Sequence, residues 1–326
     1  MAWKFVRSRM RFLVILFCCL FSASGFAASA QNTCPGNPDA LGTSRVLAIS
    51  PNEFKQIGSM QYRQTLPLDD HEVVITFDDG PLPPYTNAIL DTLASQCVKA
   101  TYFLVGQMAN AYPSIVRRIY NDGHTVGTHS QDHPLVFQRL SLKRVEDEVD
   151  RGIASVDRAI GDSQAVAPFF RIPGLGRSKT VDDFLLSQSL VTWSADVVAD
   201  DWFRRIEPQT IVQRALLRLE AKGRGILLLH DIHRATARAL PTLLKELKAR
   251  GFHVVQVVPE GDRPKSVPEL IASPATGTPT RPVLVTNRIS GTNGSINRSH
   301  HIKRIGANKR HLAVLHSVKN SRPSQF

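Results

Sequence analysis

Between residues 72 and 258, short apolar segments of strand type alternate with longer segments of helical spacing. The strand-type segments are residues 72–77, 100–105, 124–128, 169–172, 190–196, 225–230 and 253–258. Helical spacing of apolar residues covers 86–96, 108–121, 141–160, 208–221 and 235–250. Strands that alternate with helices of this length predict an α/β fold in which helices cover a parallel sheet. Seven or so such units predict a closed or nearly closed barrel, and a doubly wound open sheet is the alternative.

Potentially reactive side chains cluster at one end of these predicted strands. In both candidate folds, chemistry takes place at the carboxyl ends of the strands. The residues that follow a strand at that end are Asp78, Asp79, His129, His133, Arg171, Asp196, Asp201, His230 and Asp231. Scattered polar residues of a core would not be arranged in this way, so the sequence predicts one site at this end of the sheet.

The charge is distributed unevenly along the 326 residues. The formal net charge of +12 suggests a nucleic-acid-binding protein at first sight. However, residues 1–30 carry four of the excess positive charges and residues 262–326 carry nine, which leaves a net charge of −1 between them. We therefore expect no nucleic-acid partner for the central region.

The first thirty residues have the pattern of a secretory signal peptide. A basic segment ends at Arg11, an apolar run covers 12–21, and Ala28–Ala30 offers small residues for cleavage. The run is too short for an ordinary transmembrane helix. We expect an exported protein, periplasmic or secreted, which would be tethered to the membrane if the signal were left uncleaved.

The remaining chain divides into three predicted regions: an N-terminal extension (31–69), a catalytic domain (70–260) and a basic tail (261–326). The tail is rich in Pro, Ser, Thr, Asn and Gly and lacks sustained periodicity, so we expect it to be disordered. A solvated tail is the preferred interpretation, and a weak contact of the tail with anionic envelope polymers is the alternative.

Two cysteines, Cys34 and Cys97, lie outside the predicted signal peptide. In an exported protein they could form a disulfide that ties the N-terminal extension to the first helix. Two unpaired thiols are the alternative.

Asp78 and Asp79 end the apolar run that starts at Val73. Neighbouring strand residues point to opposite faces, so the two carboxylates share one environment only if the strand is already ending. Two solvated acids in a turn and two acids with different functions are both compatible with this pattern. A phosphatase of the aspartyl-phosphate type would have Asp-x-Asp instead, with both acids on one side.

Three histidines, His124, His129 and His133, fall within ten residues. If the chain turns helically after the strand, His129 and His133 place both imidazoles on one side. With a carboxylate they would form a two-His-one-acid set for a divalent metal. Histidines satisfied by structural hydrogen bonds are the alternative, and this is the preferred interpretation of His124.

Five short motifs occur in a fixed order: Thr76–Pro81 (TFDDGP), His129–Pro134 (HSQDHP), Phe170–Gly174 (FRIPG), Asp200–Trp202 (DDW) and Leu228–His230 (LLH). Together they resemble the motifs of the polysaccharide deacetylase family, also called the chitooligosaccharide deacetylase or nodulation-protein-B homology family. The resemblance covers about residues 70–260. It implies a distorted (β/α) barrel of about seven parallel strands.

The resemblance also implies roles for the residues of the first three motifs. Asp78 would be the general base, and Arg171 would pair with it. Asp79, His129 and His133 would bind a metal ion, usually zinc.

The last motifs would supply the acid and the pocket. His230 would protonate the leaving amine, and Asp201 would hydrogen bond to it and favour its imidazolium form. The substrate-binding residues implied are Trp202, Leu228, Pro173 and Gly174.

The chain departs from the family pattern at two places. Gly174 occupies a position where many relatives have Tyr, whose backbone N–H helps to bind the oxyanion. The fourth motif is stretched, so Asp196 is a second candidate for the partner of His230. We expect Asp200, Asp231 and His233 to be solvated neighbours, with a supporting role as the alternative for the last two.

These residues can meet the three requirements of amide hydrolysis, which are an activated water, a polarised carbonyl and a proton for the departing nitrogen. The expected activity is removal of N-acetyl groups from an amino-sugar polymer or oligomer. An O-acetyl esterase using the same metal and a non-catalytic carbohydrate-binding relative are the alternatives.

Overall fold

In the computed structural model of the protein, residues 34–162 and 165–261 are described. The predicted signal peptide (1–30) lies outside these ranges, and so does the predicted basic tail beyond Gly261. The signal peptide and the disordered tail therefore remain predictions. The strands are β1 (Thr43–Ile49), β2 (Gln56–Ile57), β3 (Glu72–Asp78), β4 (Thr101–Leu104), β5 (Thr125–Thr128), β6 (Phe169–Arg171), β7 (Val191–Trp193), β8 (Val197–Val198), β9 (Gly225–His230) and β10 (His253–Pro259). The helices are α1 (Tyr85–Ser95), α2 (Gly106–Ala111), α3 (Pro113–Asn121), α4 (Leu142–Ile160), α5 (Lys179–Ser187), α6 (Pro208–Lys222) and α7 (Arg234–Ala249).

The strands form one sheet, and every pairing in the described ranges is parallel. The order β9–β3–β4–β5–β6–β7 is closed by β8, which follows β7 in the chain and pairs with β9. At the carboxyl end of β3, Asp78 lies opposite His230 on one side and Phe103 on the other. The predicted distorted (β/α) barrel is confirmed.

The alternation of side chains along the strands separates two cores. Val73, Ile75 and Phe77 pack with the helices outside the barrel, whereas Val74 belongs to the cluster that fills its interior. By the same alternation Asp78 faces the interior, at the carboxyl end of the barrel.

Several elements differ from the sequence-based prediction. The structure has ten strands in the described ranges, three more than predicted. Residues 34–69 contribute β1 and β2, which pair with β10 and β7, and β7 and β8 lie in or directly after the segment where one strand (190–196) was predicted. The predicted helix 108–121 is divided at Pro113, which lacks an N–H and disfavours helical geometry in Tyr112 before it. Helix α5, which begins at its N-cap Ser178, was not predicted.

A disulfide joins Cys34 to Cys97, next to the end of α1. It fastens the start of the described chain to the helical layer. No helix in the described ranges combines the length and the apolar composition needed to cross a membrane.

Candidate active site

Asp78 forms a buried ion pair with Arg171 inside the barrel. Arg171 Nη1 lies 2.6 Å from Asp78 Oδ1, and both side chains are almost completely buried. The guanidinium also donates to Thr76 Oγ1 and to the carbonyl of Ser194, at 2.8 and 2.9 Å. These bonds fix the orientation of the Asp78 carboxylate.

Asp79 points in a different direction because the strand ends at Asp78 and the backbone of Asp79 is left-handed (φ 77°). Its Oδ1 lies 3.4 Å from His129 Nε2 and 3.2 Å from His133 Nε2. Burial opposes the charge of this carboxylate, but His230, His133 and His129 lower the pKa of Asp79 below its usual range. The two adjacent acids therefore have different nearest partners, although His129 Nε2 also lies 3.9 Å from Asp78 Oδ2.

His129 and His133 are brought together by a turn that is not helical, so the predicted helical turn is wrong. Ser130 and His133 have left-handed backbone conformations, with φ values of 68° and 52°. The N–H of His133 donates to Ser130 Oγ at 3.1 Å, which closes the turn. Residue spacing predicts the pairing of the two imidazoles but not the path of the chain between them.

The hydrogen bonding of His129 exposes one ring nitrogen to the site. Its Nδ1 lies 2.6 Å from the carbonyl oxygen of Arg171 and can donate to it, which leaves Nε2 facing Asp79. Burial lowers the pKa of His129 to about 4, so the imidazole is neutral near pH 7. A neutral imidazole can coordinate a metal ion through its free nitrogen.

The three side chains fit a divalent cation. One ligand atom each from Asp79, His129 and His133 lies within 4.8 Å of the other two. Asp79 Oδ1 is buried and accepts no hydrogen bond from the residues that the structure describes, as expected for an oxygen that faces a cation. Two imidazoles and one carboxylate would leave coordination positions open for water and substrate.

His230 lies next to Asp78 on the neighbouring strand and is held by Asp201. Its Nδ1 is 2.7 Å from Asp201 Oδ1, and Asp201 Oδ2 accepts hydrogen bonds from the His230 N–H and from Thr236 Oγ1. Burial opposes a charge on His230, but the carboxylate of Asp201, followed by those of Asp79 and Asp78, raises the pKa of His230 to about 10. The ring is therefore an imidazolium at neutral pH and can donate a proton.

The predicted pocket residues surround this end of the barrel. Trp202 is 42% exposed, and its ring meets that of His230 edge-on at 5.6 Å between centroids. Leu228 is buried two residues before His230 on β9. Pro173 and Gly174 form a short 3₁₀ turn after β6, and a Cβ placed on Gly174 would meet no atom within 4 Å. The position that holds Tyr in many relatives is thus open space here.

Asp196, the second candidate for the partner of His230, lies elsewhere. Its carboxylate accepts hydrogen bonds from the backbone N–H groups of Ser59 and Ile226 and from Thr65 Oγ1. It fastens the segment between β2 and β3 to the barrel and does not take part in the site.

Asp200 is not solvated, contrary to expectation. It is 8% exposed and forms ion pairs with Arg214 and Arg218 of α6 at 2.9 and 2.8 Å. Its backbone is left-handed (φ 56°), which turns the side chain away from the neighbouring Asp201.

Asp231 is fully buried, so the expectation of a solvated loop residue is wrong. Thr86 Oγ1 donates to its Oδ2 at 2.7 Å, and a Cβ on Gly80 would lie 2.0 Å from that oxygen. Burial raises the pKa of Asp231 to about 7. The carboxyl group thus supports the turn that follows Asp79, which only glycine can form in this space.

His233 is partly buried, and its ring lies 5.7 Å from that of His230. Burial, and then the charge of His230, lower the pKa of His233. His124 is buried, and its Nδ1 accepts the N–H of Ala100 at 3.1 Å, which agrees with a structural function.

Glu148 of α4 was missed by the sequence analysis. It is completely buried and accepts backbone hydrogen bonds from Gln131 and Asp132, in the turn between His129 and His133. The available signal was an acid placed between Val145 and Val149, on the apolar face of the helix.

The comparisons with known proteins agree with this geometry. A family model described as polysaccharide deacetylase matches residues 66–190. The peptidoglycan-N-acetylglucosamine deacetylase PgdA of Listeria monocytogenes is 34% identical over 185 residues, which are 57% of this chain and 38% of that protein. A chitooligosaccharide deacetylase of Rhizobium leguminosarum is 31% identical over 225 residues, which are 63% of this chain and 94% of that protein.

Among solved structures, a peptidoglycan deacetylase of Bdellovibrio bacteriovorus is similar with a TM-score of 0.59 and 32% identity, over 66% of this chain and 59% of that one. The chain spans about two fifths of the length of the Listeria relative. The parallel barrel, with the site at its carboxyl end, defines the class as an α/β barrel. The chain belongs to the polysaccharide deacetylase family.

Proposed function

We propose that this protein is a metal-dependent hydrolase that removes N-acetyl groups from the amino sugars of an envelope polysaccharide. One observation carries the proposal: Asp78 and His230 lie opposite each other on adjacent strands, next to the cluster of Asp79, His129 and His133. A base, an acid and a set of metal ligands at one end of the barrel supply what amide hydrolysis requires.

The side chains divide the reaction between them. A divalent ion, which we propose to be zinc, would act as a Lewis acid that polarises the acetyl carbonyl and acidifies water. Asp78, oriented by Arg171, takes a proton from the attacking water. As the carbon–nitrogen bond breaks, His230 donates its proton to the departing amine, and acetate and the free amino sugar are released. Asp201 holds the imidazolium in place for this transfer.

Four arginines that come shortly after Trp202 or His230 in the chain favour a substrate that carries carboxylates. Arg204, Arg205, Arg234 and Arg238 are exposed, and within the described ranges they form no hydrogen bond or ion pair. We call them the arginine rim. Arg204 and Arg205 follow Trp202 and Phe203, and the other two lie in the first two turns of α7, shortly after His230.

The arginine rim is not part of a general excess of positive charge, since residues 31–261 carry a net charge of −1. Guanidinium groups bind carboxylates well. Among the related proteins are peptidoglycan deacetylases, so a glycan substituted with lactyl or peptide carboxylates is our proposed substrate, rather than a neutral N-acetylglucosamine polymer.

The arginine rim can be tested by charge removal. We expect Arg204→Gln or Arg205→Gln to lower kcat/KM on peptidoglycan fragments by up to about fivefold at low salt, and less at high salt. Activity on neutral chitooligosaccharides should be unchanged. Arg158→Gln is the matched control, because Arg158 is an exposed arginine in the last turn of α4, at the other end of the barrel. Equal losses on both substrates would contradict the assignment.

The proposed reaction is tested by measuring acetate release from N-acetylglucosamine oligomers, peptidoglycan and O-acetylated xylan. The protein would be used with zinc and after chelation, and His129→Ala is the control. Release from an N-acetyl substrate that chelation and the mutation abolish supports the proposal. Release from xylan alone would make the protein an O-acetyl esterase, and bound metal without release from any substrate would favour a binding function.

The location in the cell is part of the proposal. An exported protein meets envelope glycans, and the segment 1–30 has the signal-peptide pattern described above. Cleavage after Ala30 would leave a mature chain that begins at Gln31, which mass spectrometry of the exported protein would detect.

A further inference from the structure

The turn between His129 and His133 has a backbone shape that its own residues do not favour. Ser130 and His133 are both left-handed, which is costly for residues other than glycine. The two residues between them, Gln131 and Asp132, direct their backbone N–H groups away from solvent towards helix α4. Something outside the turn must therefore stabilise this shape.

Glu148 supplies part of that support, and the backbone N–H groups of Gly106 and Gln107 supply another part by donating to the carbonyls of Ser130 and Gln131, both at 2.9 Å. One carboxylate oxygen, Oε2, accepts the N–H of Gln131 at 3.1 Å and the N–H of Asp132 at 2.8 Å. The side chain has no exposed surface. A buried carboxylate is unfavourable unless its charge and its hydrogen-bonding capacity are satisfied, so a carboxylate at this position needs partners.

Arg144 provides the balancing charge one turn earlier on the same helix. Its Nη2 lies 2.7 Å from Glu148 Oε1 and 3.2 Å from Asp132 Oδ2. The same guanidinium thus contacts the helix carboxylate and the turn it holds. Arg144 is 43% exposed, so solvent screens its pair with Asp132 more than the buried oxygen of Glu148.

The helix face that carries Glu148 is shaped to receive this turn. A Cβ on Gly152 would lie 2.8 Å from the carbonyl carbon of Ser130, so only glycine allows this approach. One further turn along, Ser155 Oγ donates to Gln131 Oε1 at 2.8 Å. Glu148, Gly152 and Ser155 follow the i, i+4, i+7 spacing of one helix face.

We infer that Glu148 is a positioning residue for the His129–His133 pair, which sets the turn so that both imidazoles face Asp79. The inference rests on the metal site of the proposed function. Glu148 touches neither the imidazoles nor the reacting groups, and it acts through the backbone of Gln131 and Asp132. Without the carboxylate, the buried N–H groups of Gln131 and Asp132, which lie between the two left-handed residues, lose their acceptor.

The test compares Glu148→Gln with Glu146→Gln, a change of the same chemistry on a partly exposed residue of α4. The first readout is the affinity for Zn²⁺ or Co²⁺, titrated against a chromophoric chelator. Glu148→Gln keeps one oxygen that can accept the two N–H groups, but it loses the charge and turns an NH2 group towards Arg144. We therefore expect Glu148→Gln to weaken metal binding about tenfold, Glu148→Ala, which removes both oxygens, to weaken it by up to about 100-fold, and Glu146→Gln to leave it unchanged. The second readout is the visible spectrum of bound Co²⁺, which should change in Glu148→Gln as the ligand geometry relaxes.

The thermal midpoint of the metal-free proteins separates positioning from general stability. Wild-type metal affinity and an unchanged Co²⁺ spectrum in Glu148→Gln would overturn the inference, whether or not the midpoint falls. Failure of the proposed function has a different signature, because then the wild-type protein itself would bind no metal through His129 or release no acetate. Glu148→Ala adds a more drastic variant, and Glu148→Gln decides the question if Glu148→Ala does not fold.

Discussion

Two Asp-Asp pairs follow strands of the barrel, and they are used differently. Asp78 and Asp79 come at the end of β3, whereas Asp200 and Asp201 come two residues after β8. In each pair one residue has a left-handed backbone: Asp79 in the first and Asp200 in the second. Both acids of the first pair face the site, but only Asp201 of the second does so.

The position of the left-handed residue explains the difference. Asp78 ends the strand and faces the barrel interior. The left-handed residue is the next one, Asp79, and this conformation directs its carboxylate towards His129 and His133. In the second pair the left-handed residue is the first one, Asp200. Its carboxylate pairs with the arginines of α6, and the carboxylate of Asp201 pairs with His230. Adjacent carboxylates thus acquire their functions from the backbone turn and from the cations around them.

The largest expected effect of a change in either pair is at Asp79. We expect Asp79→Asn to lose bound zinc and to bring acetate release down to background, because an amide replaces the only carboxylate among the three candidate ligands. Zinc content after dialysis, with the fold checked by circular dichroism, measures this. Full metal occupancy in Asp79→Asn would show that the ligands lie elsewhere.

Asp201→Asn should produce a pH-dependent loss. The carboxylate of Asp201 opposes the effect of burial on His230 and holds its pKa at about 10, above the usual value. The protonated form of His230 is therefore present at neutral pH and is lost as pH rises through that pKa. Without the charge of Asp201 burial dominates and the pKa falls, so the alkaline limb of kcat should move to lower pH.

Above the new pKa of His230, the rate of Asp201→Asn should fall about tenfold per pH unit, since the protonated acid is required. The pH profile of kcat at saturating substrate is the measurement. A profile parallel to that of the wild type, lowered equally at all pH values, would contradict the role of Asp201 in holding the proton on His230.

Asp200→Asn should have the smallest effect and should act on stability. Its pairs with Arg214 and Arg218 are partly exposed, so we expect a loss of about 1 kcal/mol in the free energy of unfolding. For a domain of this size that corresponds to a decrease of about 2–4 °C in Tm. Acetate release by Asp200→Asn should be retained. An activity loss as large as that of Asp201→Asn would contradict the assignment of Asp200 to stability and of Asp201 to the site.

The sequence predicts much of the barrel because strands buried on both faces form continuous apolar runs, such as those that end at Asp78 and His230. It also predicts where the site lies, since the reactive groups follow the strands at one end. Elements with little local signal were missed, among them the two-residue strand β2.

The residues that support the site were harder to predict. Glu148 and Asp231 are buried carboxylates whose partners come from distant segments, so their environment is set only when the barrel closes. The resemblance implied Asp201 as the partner of His230, and Asp196 stayed as a second candidate because both are acids near β8. Only the folded structure distinguishes their functions: Ser59 and Thr65 hydrogen bond to Asp196, whereas His230 hydrogen bonds to Asp201.

The central claim is that Asp78 and Asp79, although adjacent, divide proton transfer from metal binding. The most direct test is to measure bound zinc and acetate release together in Asp78→Asn and Asp79→Asn. We predict that Asp78→Asn keeps its zinc but loses roughly 10²- to 10⁴-fold in rate, as expected when a general base is removed, whereas Asp79→Asn loses both zinc and rate. Wild-type activity in Asp78→Asn, or equal zinc loss in the two variants, would contradict this division.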